Sequence, residues 1–238
     1  MEQEQEHLNR PQVILLDVYE TLLDMTEVER RVNVLLDSKR GYIIWFNLFM
    51  QYCFVDNCTI QFNDFASIAK ATMQMAGRTL GRALDEYDID DVLELLKHLP
   101  AHEGVQRGLS MLNDMDFRIA ALTNSPEQTV RHRMESTGMV SYFEKVLSAE
   151  HVKKYKPCIE VYTWAAEKMD VDPQDVLLVS AHSWDIAGAA NAGMQSAYVR
   201  RDQMLYPLAP EPTYTCATIE DLADQLETIY QQTKRHIP

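Results

Sequence analysis

Four apolar residues in succession, Val13-Ile14-Leu15-Leu16, run directly into Asp17, and no other pattern limits the fold of this chain as much. A strand that is apolar on both faces belongs inside a parallel sheet, where helices cover both sides. In open sheets of that kind, ligands bind in the crevice beyond the carboxyl ends of the strands. The stretch therefore predicts a buried leading strand with a carboxylate, Asp17, at its ligand-facing end. Thr21 can turn back toward it from the loop that follows. The plainer reading is an acid that merely ends a strand, and so short a motif does not decide between the two.

After Asp24 the pattern changes from strand-like to helix-like and stays so to about Leu99. Thr26 can cap a first helix whose early turn carries Glu27 and Glu29. Residues 41–54 are dense in large apolar side chains nearly all round, which marks a helix that is buried or covers something. It reads as a helical core, a dimer face, or an apolar lid over Asp17. Further helices are expected over 63–75 and 89–99, with Met73 and Met75 as packing residues rather than metal ligands. From Pro100 onward strands and helices alternate, as in a parallel sheet. Strands are expected at 117–122, 143–148, 176–179 and 197–199, and helices over 104–113, from Ser125 to Gly138, from about 157 through Met169, from the Ser183 region to about Gly193, and from Thr218. Ser125 is expected as N-cap with Pro126 at the first helical position, and Gly138 as the stop. The layout is a doubly wound α/β core formed by residues 1–24 and 100–238. A helical insert of residues 25–99 follows the first strand.

Composition narrows the partners. The chain has 238 residues, 46% hydrophobic and 24% charged, with a net charge of -14. That charge argues against nucleic acid or an anionic membrane as partner. Residues 1–7 have neither the basic nor the apolar region of a secretory signal, and no apolar run is long enough to span a bilayer. Cys53, Cys58, Cys158 and Cys216 show no paired spacing, as expected of reduced packing cysteines in a cytoplasmic protein.

Four strand ends carry polar groups: Asp17 with Thr21, Thr123-Asn124, Lys156, and Ser180-Ala181-His182-Ser183-Trp184-Asp185. Along one edge of a doubly wound sheet these ends converge. A carboxylate nucleophile needs a cation to keep it ionised and donors to aim it. Lys156 offers the charge, Thr21, Thr123 and Ser180 the hydroxyls, and Asn124 an amide. Each also has a bland reading: Ser183 and Asp185 as helix-start residues, Lys156-Pro157 as a solvated loop, Asn124 as a turn residue, His182 as structural. All four bland readings holding together in this order is the less economical account.

Taken in order, Asp17-x-Tyr19-x-Thr21-Leu22, Leu122-Thr123-Asn124-Ser125, Lys156-Pro157 with Tyr162, and Val179-Ser180-Ala181-His182-Ser183-Trp184-Asp185 resemble the L-2-haloacid dehalogenase branch of the haloacid dehalogenase superfamily. The resemblance spans the core and includes the helical cap. It implies a Rossmann-like core and a two-step hydrolysis of a small-molecule 2-haloacid. Asp17 would displace halide from carbon, and water would then cleave the resulting aspartyl ester to release a 2-hydroxy acid. It further implies that Lys156 and Ser180 hold Asp17, that Asp185 positions or activates water, and that Asn124 faces the halide. Tyr19, Thr123 and Tyr162 match positions at the substrate and pocket wall.

Related phosphatases carry an acid two residues after the nucleophile, to protonate a leaving alcohol. Tyr19 stands there in this chain, which suits a leaving group that needs no proton. Magnesium wants clustered carboxylates, which the run from Ser180 to His182 lacks, so no metal and no cofactor are expected. The chain also departs from the pattern. Glu20 replaces a glycine, His182 an asparagine and Thr123 a serine, and the cap arginine that such enzymes use against substrate has only Arg40 as a candidate. His182 could hydrogen-bond the site or act as a base if neutral. A magnesium-dependent phosphatase of small phosphoesters, and a non-catalytic binding protein on the same fold, are the competing readings. A homodimer is compatible with the apolar stretch at 41–54, as is simple burial.

Overall fold

The computed structural model describes residues 9–201 and 204–235, so the acidic run 1–7 lies outside the described residues. Strands β1 (Val13–Leu16), β2 (Arg118–Thr123), β3 (Lys145–Ser148), β4 (Val176–Ser180), β5 (Gln195–Val199) and β6 (Tyr214–Cys216) form one sheet in the order β3-β2-β1-β4-β5-β6. Every neighbouring pair is parallel. All four residues of β1 are buried at the centre, as a continuous apolar run requires. The chain leaves β1 for β2 on one side and later crosses back to β4 on the other. Asp17 follows β1 directly at this reversal, the place where doubly wound sheets open a crevice.

Helices α1 (Thr26–Leu35), α2 (Gly41–Thr59), α3 (Phe65–Thr79) and α4 (Glu86–Leu95) lie between β1 and β2. Helices α5 (Val105–Asp114), α6 (Glu127–Ser136), α7 (Ile159–Lys168), α8 (Ser183–Asn191) and α9 (Ile219–Arg235) alternate with the remaining strands or follow them. Alternation along β1 divides the core. Ile14 and Leu16 pack on the side of the cap helices, α5 and α9, while Val13 and Leu15 pack with α7 and with Ala189 of α8. Trp45, Phe49 and Met73 of the cap belong to the same apolar cluster as Leu16 and Val18. Cap and sheet are therefore packed continuously around the crevice.

Several boundaries move. Thr26 does not cap α1; it is the first helical residue, and Asp24 Oδ1 accepts from its backbone N at 2.8 Å and its hydroxyl at 2.6 Å. The N-cap of α6 is Pro126, one residue later than expected, because the backbone N–H of Ser125 turns back to Thr123 Oγ1 at 3.1 Å. The fourth cap helix starts at Glu86 rather than near Ile89, since Asp85 caps it by accepting from Asp88 N at 2.8 Å. Strand β6 was not expected; three residues at a sheet edge carry too little pattern to be seen. Within α2, Tyr42, Trp45, Phe49, Met50 and Cys53 are buried, whereas Ile43 and Val55 face outward, so packing accounts for most of the apolar stretch. Among the described residues no helix is long and apolar enough to cross a membrane. The four cysteines are free.

Candidate active site

The loop after β1 brings Asp17 and Thr21 together. The Thr21 hydroxyl donates to Asp17 Oδ2 at 2.6 Å and accepts from the Ala181 backbone N at 2.9 Å, which ties this loop to the end of β4. Lys156, buried in the loop before α7, reaches the same carboxylate from the other side. Its ammonium donates to Asp17 Oδ1 at 2.8 Å, to Asp185 Oδ2 at 2.7 Å and to the Leu122 carbonyl at 3.0 Å. Those bonds use all three of its donors. Burial alone would raise the Asp17 carboxyl. The charges of Lys156 and His182, with hydrogen bonds from Lys156 and Thr21, outweigh it and hold Asp17 below its ordinary value. Burial would likewise lower Lys156, but Asp17 and Asp185 raise it instead. Asp17 is thus an ionised carboxylate beside a permanent cation.

Asp185 lies in the first turn of α8 and is wholly buried; its second oxygen accepts from the Tyr162 hydroxyl at 2.6 Å. Burial, followed by the Asp185 charge, pushes the Tyr162 phenol well above its usual range, so it remains a donor. The close approach of α7 and α8 depends on Gly188, where a Cβ would lie 2.4 Å from the Tyr162 hydroxyl and 2.7 Å from Pro157 Cβ. Asn124 anchors the loop after β2: its Oδ1 accepts from the Lys156 backbone N at 2.8 Å, which leaves its NH2 as the group it offers the crevice.

Above Asp17 lies a cavity of about 570 Å³ between sheet edge and cap. Asp17, Tyr19, Thr123, Asn124, Ser125, Lys156 and His182 form its polar floor, and Trp45, Phe46, Phe49, Phe65, Leu93 and Trp184 supply most of the apolar wall. Helix α2 is therefore both core and lid. Lys70 and Lys97 also line the cavity, but each is paired, with Asp90 at 2.7 Å and with Glu94 at 2.5 Å. The cap is fastened to the floor beside Lys156, where Asn57 Nδ2 donates to the Tyr155 carbonyl and Tyr155 N donates to Asn57 Oδ1, both at 2.8 Å.

Not every expected position reaches the cavity. Arg40 sits exposed at the N-cap of α2 with its backbone N on Ser38 Oγ, outside the lining, because the helix begins only one residue later and turns its aromatic face inward. Ser180 Oγ accepts from His182 N at 3.1 Å and so shapes the turn after β4; it has no hydrogen bond to Asp17. Tyr162 and Asp185 lie behind Lys156 rather than in the wall, with both Asp185 oxygens already bonded. Thr21 likewise acts on Asp17 from below. Sequence reasoning flagged Glu20 as an acid in place of a glycine, and the structure puts it at positive φ (62°), but it named no partner for it; Tyr42 and Phe46 were read only as part of the apolar stretch 41–54.

A divalent cation does not fit these residues. The place between the Asp17 and Asp185 carboxylates is taken by Lys156 Nζ, and position 19 carries a phenol, not a carboxylate. Among the described residues no group of three His, Cys, Asp or Glu side chains could hold a metal ion.

Comparison with known proteins agrees with this geometry. The chain is 23% identical to (S)-2-haloacid dehalogenase 4A of Burkholderia cepacia over 218 residues, 91% of this chain and 92% of that one. It is 25% identical to (S)-2-haloacid dehalogenase 1 of Pseudomonas sp. (strain CBS-3) over 202 residues, 83% and 88% of the two chains. The structure of L-2-haloacid dehalogenase from Xanthobacter autotrophicus with chloropropionic acid covalently bound superposes with a TM-score of 0.82 at 20% identity, covering 91% of this chain and 98% of that one. The family model for haloacid dehalogenase-like hydrolases matches residues 33–199, well over half of the sequence. On this match the chain belongs to the haloacid dehalogenase-like hydrolase family.

Proposed function

We propose that this protein hydrolyses the carbon–halogen bond of L-2-haloalkanoic acids through an ester on Asp17, as a hydrolase of carbon–halide bonds. One observation carries the reading: an ionised aspartate at the sheet's switch point, clamped by Lys156 and Thr21, with no acid at position 19 to protonate a leaving group. Carboxylate oxygen attacks C2, the carbon–halogen bond breaks, and its electron pair departs with the halide. The pinned carboxylate cannot rotate away, so the reacting atoms meet in one orientation. Thr123, the Asn124 amide and Tyr19 stand at the floor to bind the substrate's oxygens and the halide. Water then adds to the ester carbonyl, the 2-hydroxy acid leaves, and Asp17 returns to the carboxylate. Asp185, Tyr162 and Ser180 act through Lys156 and the loop after β4, as positioning residues.

The relatives' names, (S)-2-haloacid dehalogenase, support the same substrate class. The acidic chain and its free cysteines support a cytoplasmic setting, and the outward Ile43 and Val55 of α2 support a homodimer through that helix. Purified protein incubated with L-2-chloropropionate without added metal should release halide and form the 2-hydroxy acid with inverted configuration. Absence of halide from either enantiomer across several chain lengths refutes the reading.

A further inference from the structure

The two departures singled out in the sequence, Glu20 and His182, meet in the structure. The Glu20 carboxylate accepts from the Tyr42 hydroxyl of α2 at 2.5 Å through Oε1, and its Oε2 lies 3.5 Å from His182 Nδ1. On the other edge of the ring, His182 Nε2 lies 3.2 Å from the Tyr19 carbonyl and 3.5 Å from Asp17 Oδ2. The ring is stacked between Phe46 of the cap, at 5.8 Å, and Trp184, at 4.7 Å, with interplanar angles of 24° and 15°.

Those surroundings select a protonation state. A neutral imidazole has one donor and one acceptor nitrogen, so one lone pair would face oxygen acceptors here; only the imidazolium donates from both nitrogens. Two aromatic faces add the favourable field of a cation–π contact. Among the described residues, charged groups near the ring include Asp17 and Glu20 from the loop after β1, and Lys156, whose Nζ lies 5.7 Å from the Trp184 ring centre. The Tyr42 hydroxyl joins them through Glu20.

The site also has a use for that charge. Lys156 has no donor left for a reacting group, Lys70 and Lys97 are paired in the cap, and Arg40 points elsewhere. Asp17 Oδ2 is the oxygen faced by both Thr21 and His182.

We propose that His182 works as an imidazolium, fixed by Glu20 and the cap hydroxyl of Tyr42, and forms with Thr21 the oxyanion hole for hydrolysis of the Asp17 ester. The proposal rests on the dehalogenase reading. Oδ1 carries the alkyl group. Water oxygen bonds to Cγ, the carbonyl π pair moves onto Oδ2, and the negative charge there falls between the Thr21 hydroxyl and the ring N–H. Collapse breaks the Cγ–Oδ1 bond; of the two protons of the attacking water, one goes to the departing alkoxide and the other to solvent, which leaves Asp17 ionised. His182 keeps its own protons throughout. It is an electrostatic partner and not a base, and Glu20 is the residue that positions it. Donors aimed at developing charge in a dry site are among the larger contributions to catalysis, roughly 10²–10³-fold for one donor.

The test uses the whole protein with 15N-labelled histidine. Its imidazole shifts, assigned to position 182 by comparison with His182→Asn, should show a charged ring at pH 7.5 in the native chain and a neutral ring in Glu20→Gln. In rapid-quench reactions with L-2-bromopropionate, the burst of halide reports the first step in each variant and is read separately from ester breakdown. Breakdown of the ester should be slowed at least roughly tenfold, so the adduct on Asp17 accumulates in the mass spectrum. A neutral ring in the native protein, or unchanged ester breakdown in Glu20→Gln, overturns the inference while halide release stands. Native protein that releases no halide overturns the dehalogenase reading and the oxyanion role with it. The ring's charge is still read directly in that case, and in the case that Glu20→Gln fails to fold.

Discussion

Replacing Lys156 with methionine keeps the length of the side chain and removes its charge, and the structure predicts more than a loss of rate. The ammonium is the shared partner of Asp17 and Asp185, at 2.8 and 2.7 Å, in a site closed to solvent. Taking one partner from a buried ion pair costs about 3–5 kcal/mol, because the other charge stays buried and unpaired. For a chain of this size that is a fall in melting temperature of roughly 6–20 °C. The cost depends on pH. In the native protein the Asp17 carboxyl is held below 3.8, so its contribution is present above that value and is lost as pH falls through the depressed folded value. Lys156 is raised above 10.5, so its contribution is present below that value and lost only as pH rises through the raised one. In the variant, burial and mutual repulsion push one carboxyl upward instead, and acidification from pH 7.5 relieves the strain. Thermal unfolding followed by circular dichroism from pH 4.5 to 8 should therefore show a gap between the two proteins that is widest near neutrality and narrows toward pH 4.5. Halide release at pH 7.5 should fall roughly hundredfold or more, since a protonated nucleophile must first lose its proton. A gap independent of pH, or one below about 1 kcal/mol, refutes the reasoning.

Three further outcomes follow from the same contacts. Tyr162→Phe strands a buried Asp185 oxygen that now accepts at 2.6 Å; urea denaturation should show a loss of about 1–3 kcal/mol, and kcat should fall with KM unchanged because Tyr162 does not line the cavity. Gly188→Ala places a Cβ 2.4 Å from that hydroxyl and should destabilise by about 1–3 kcal/mol, and a double-mutant cycle with Tyr162→Phe should show the two costs to be less than additive. The cavity of about 570 Å³ far exceeds a propionate, so kcat/KM for 2-bromo acids should rise with chain length. The rise is about fourfold per methylene that enters the apolar wall, from about 0.8 kcal/mol each, and competition kinetics against 2-bromopropionate measures it.

What could be read in advance follows the strength of the physical signal. An apolar run closed by an acid reads as a buried central strand, and β1 with Asp17 is that. The sheet's edges were poorly legible, as β6 and the first two residues of β5 show, because polar residues in short strands carry no alternation. Sequence also brought the polar clusters to one edge but could not apportion their hydrogen bonds. Ser180 and Tyr162 lie near the site with their hydroxyls engaged elsewhere, Ser180 accepting from His182 N and Tyr162 donating to Asp185, a matter of ångström-scale packing around Gly188 and the turn after β4. Arg40 failed for a different reason: the helix start at Gly41 rotates position 40 outward. Glu20 and His182 were visible as departures from a pattern, yet only the fold shows that they face one another.

The central claim is that Asp17 becomes esterified. It is tested most directly by a single turnover with enzyme in excess of L-2-bromopropionate in water enriched in oxygen-18, followed by mass analysis of the peptide containing Asp17 and of the product. The account predicts one heavy oxygen in the Asp17 carboxylate and an unlabelled 2-hydroxy acid. Label in the hydroxy acid, with Asp17 unlabelled, would mean that water attacks the substrate carbon itself and contradicts the account.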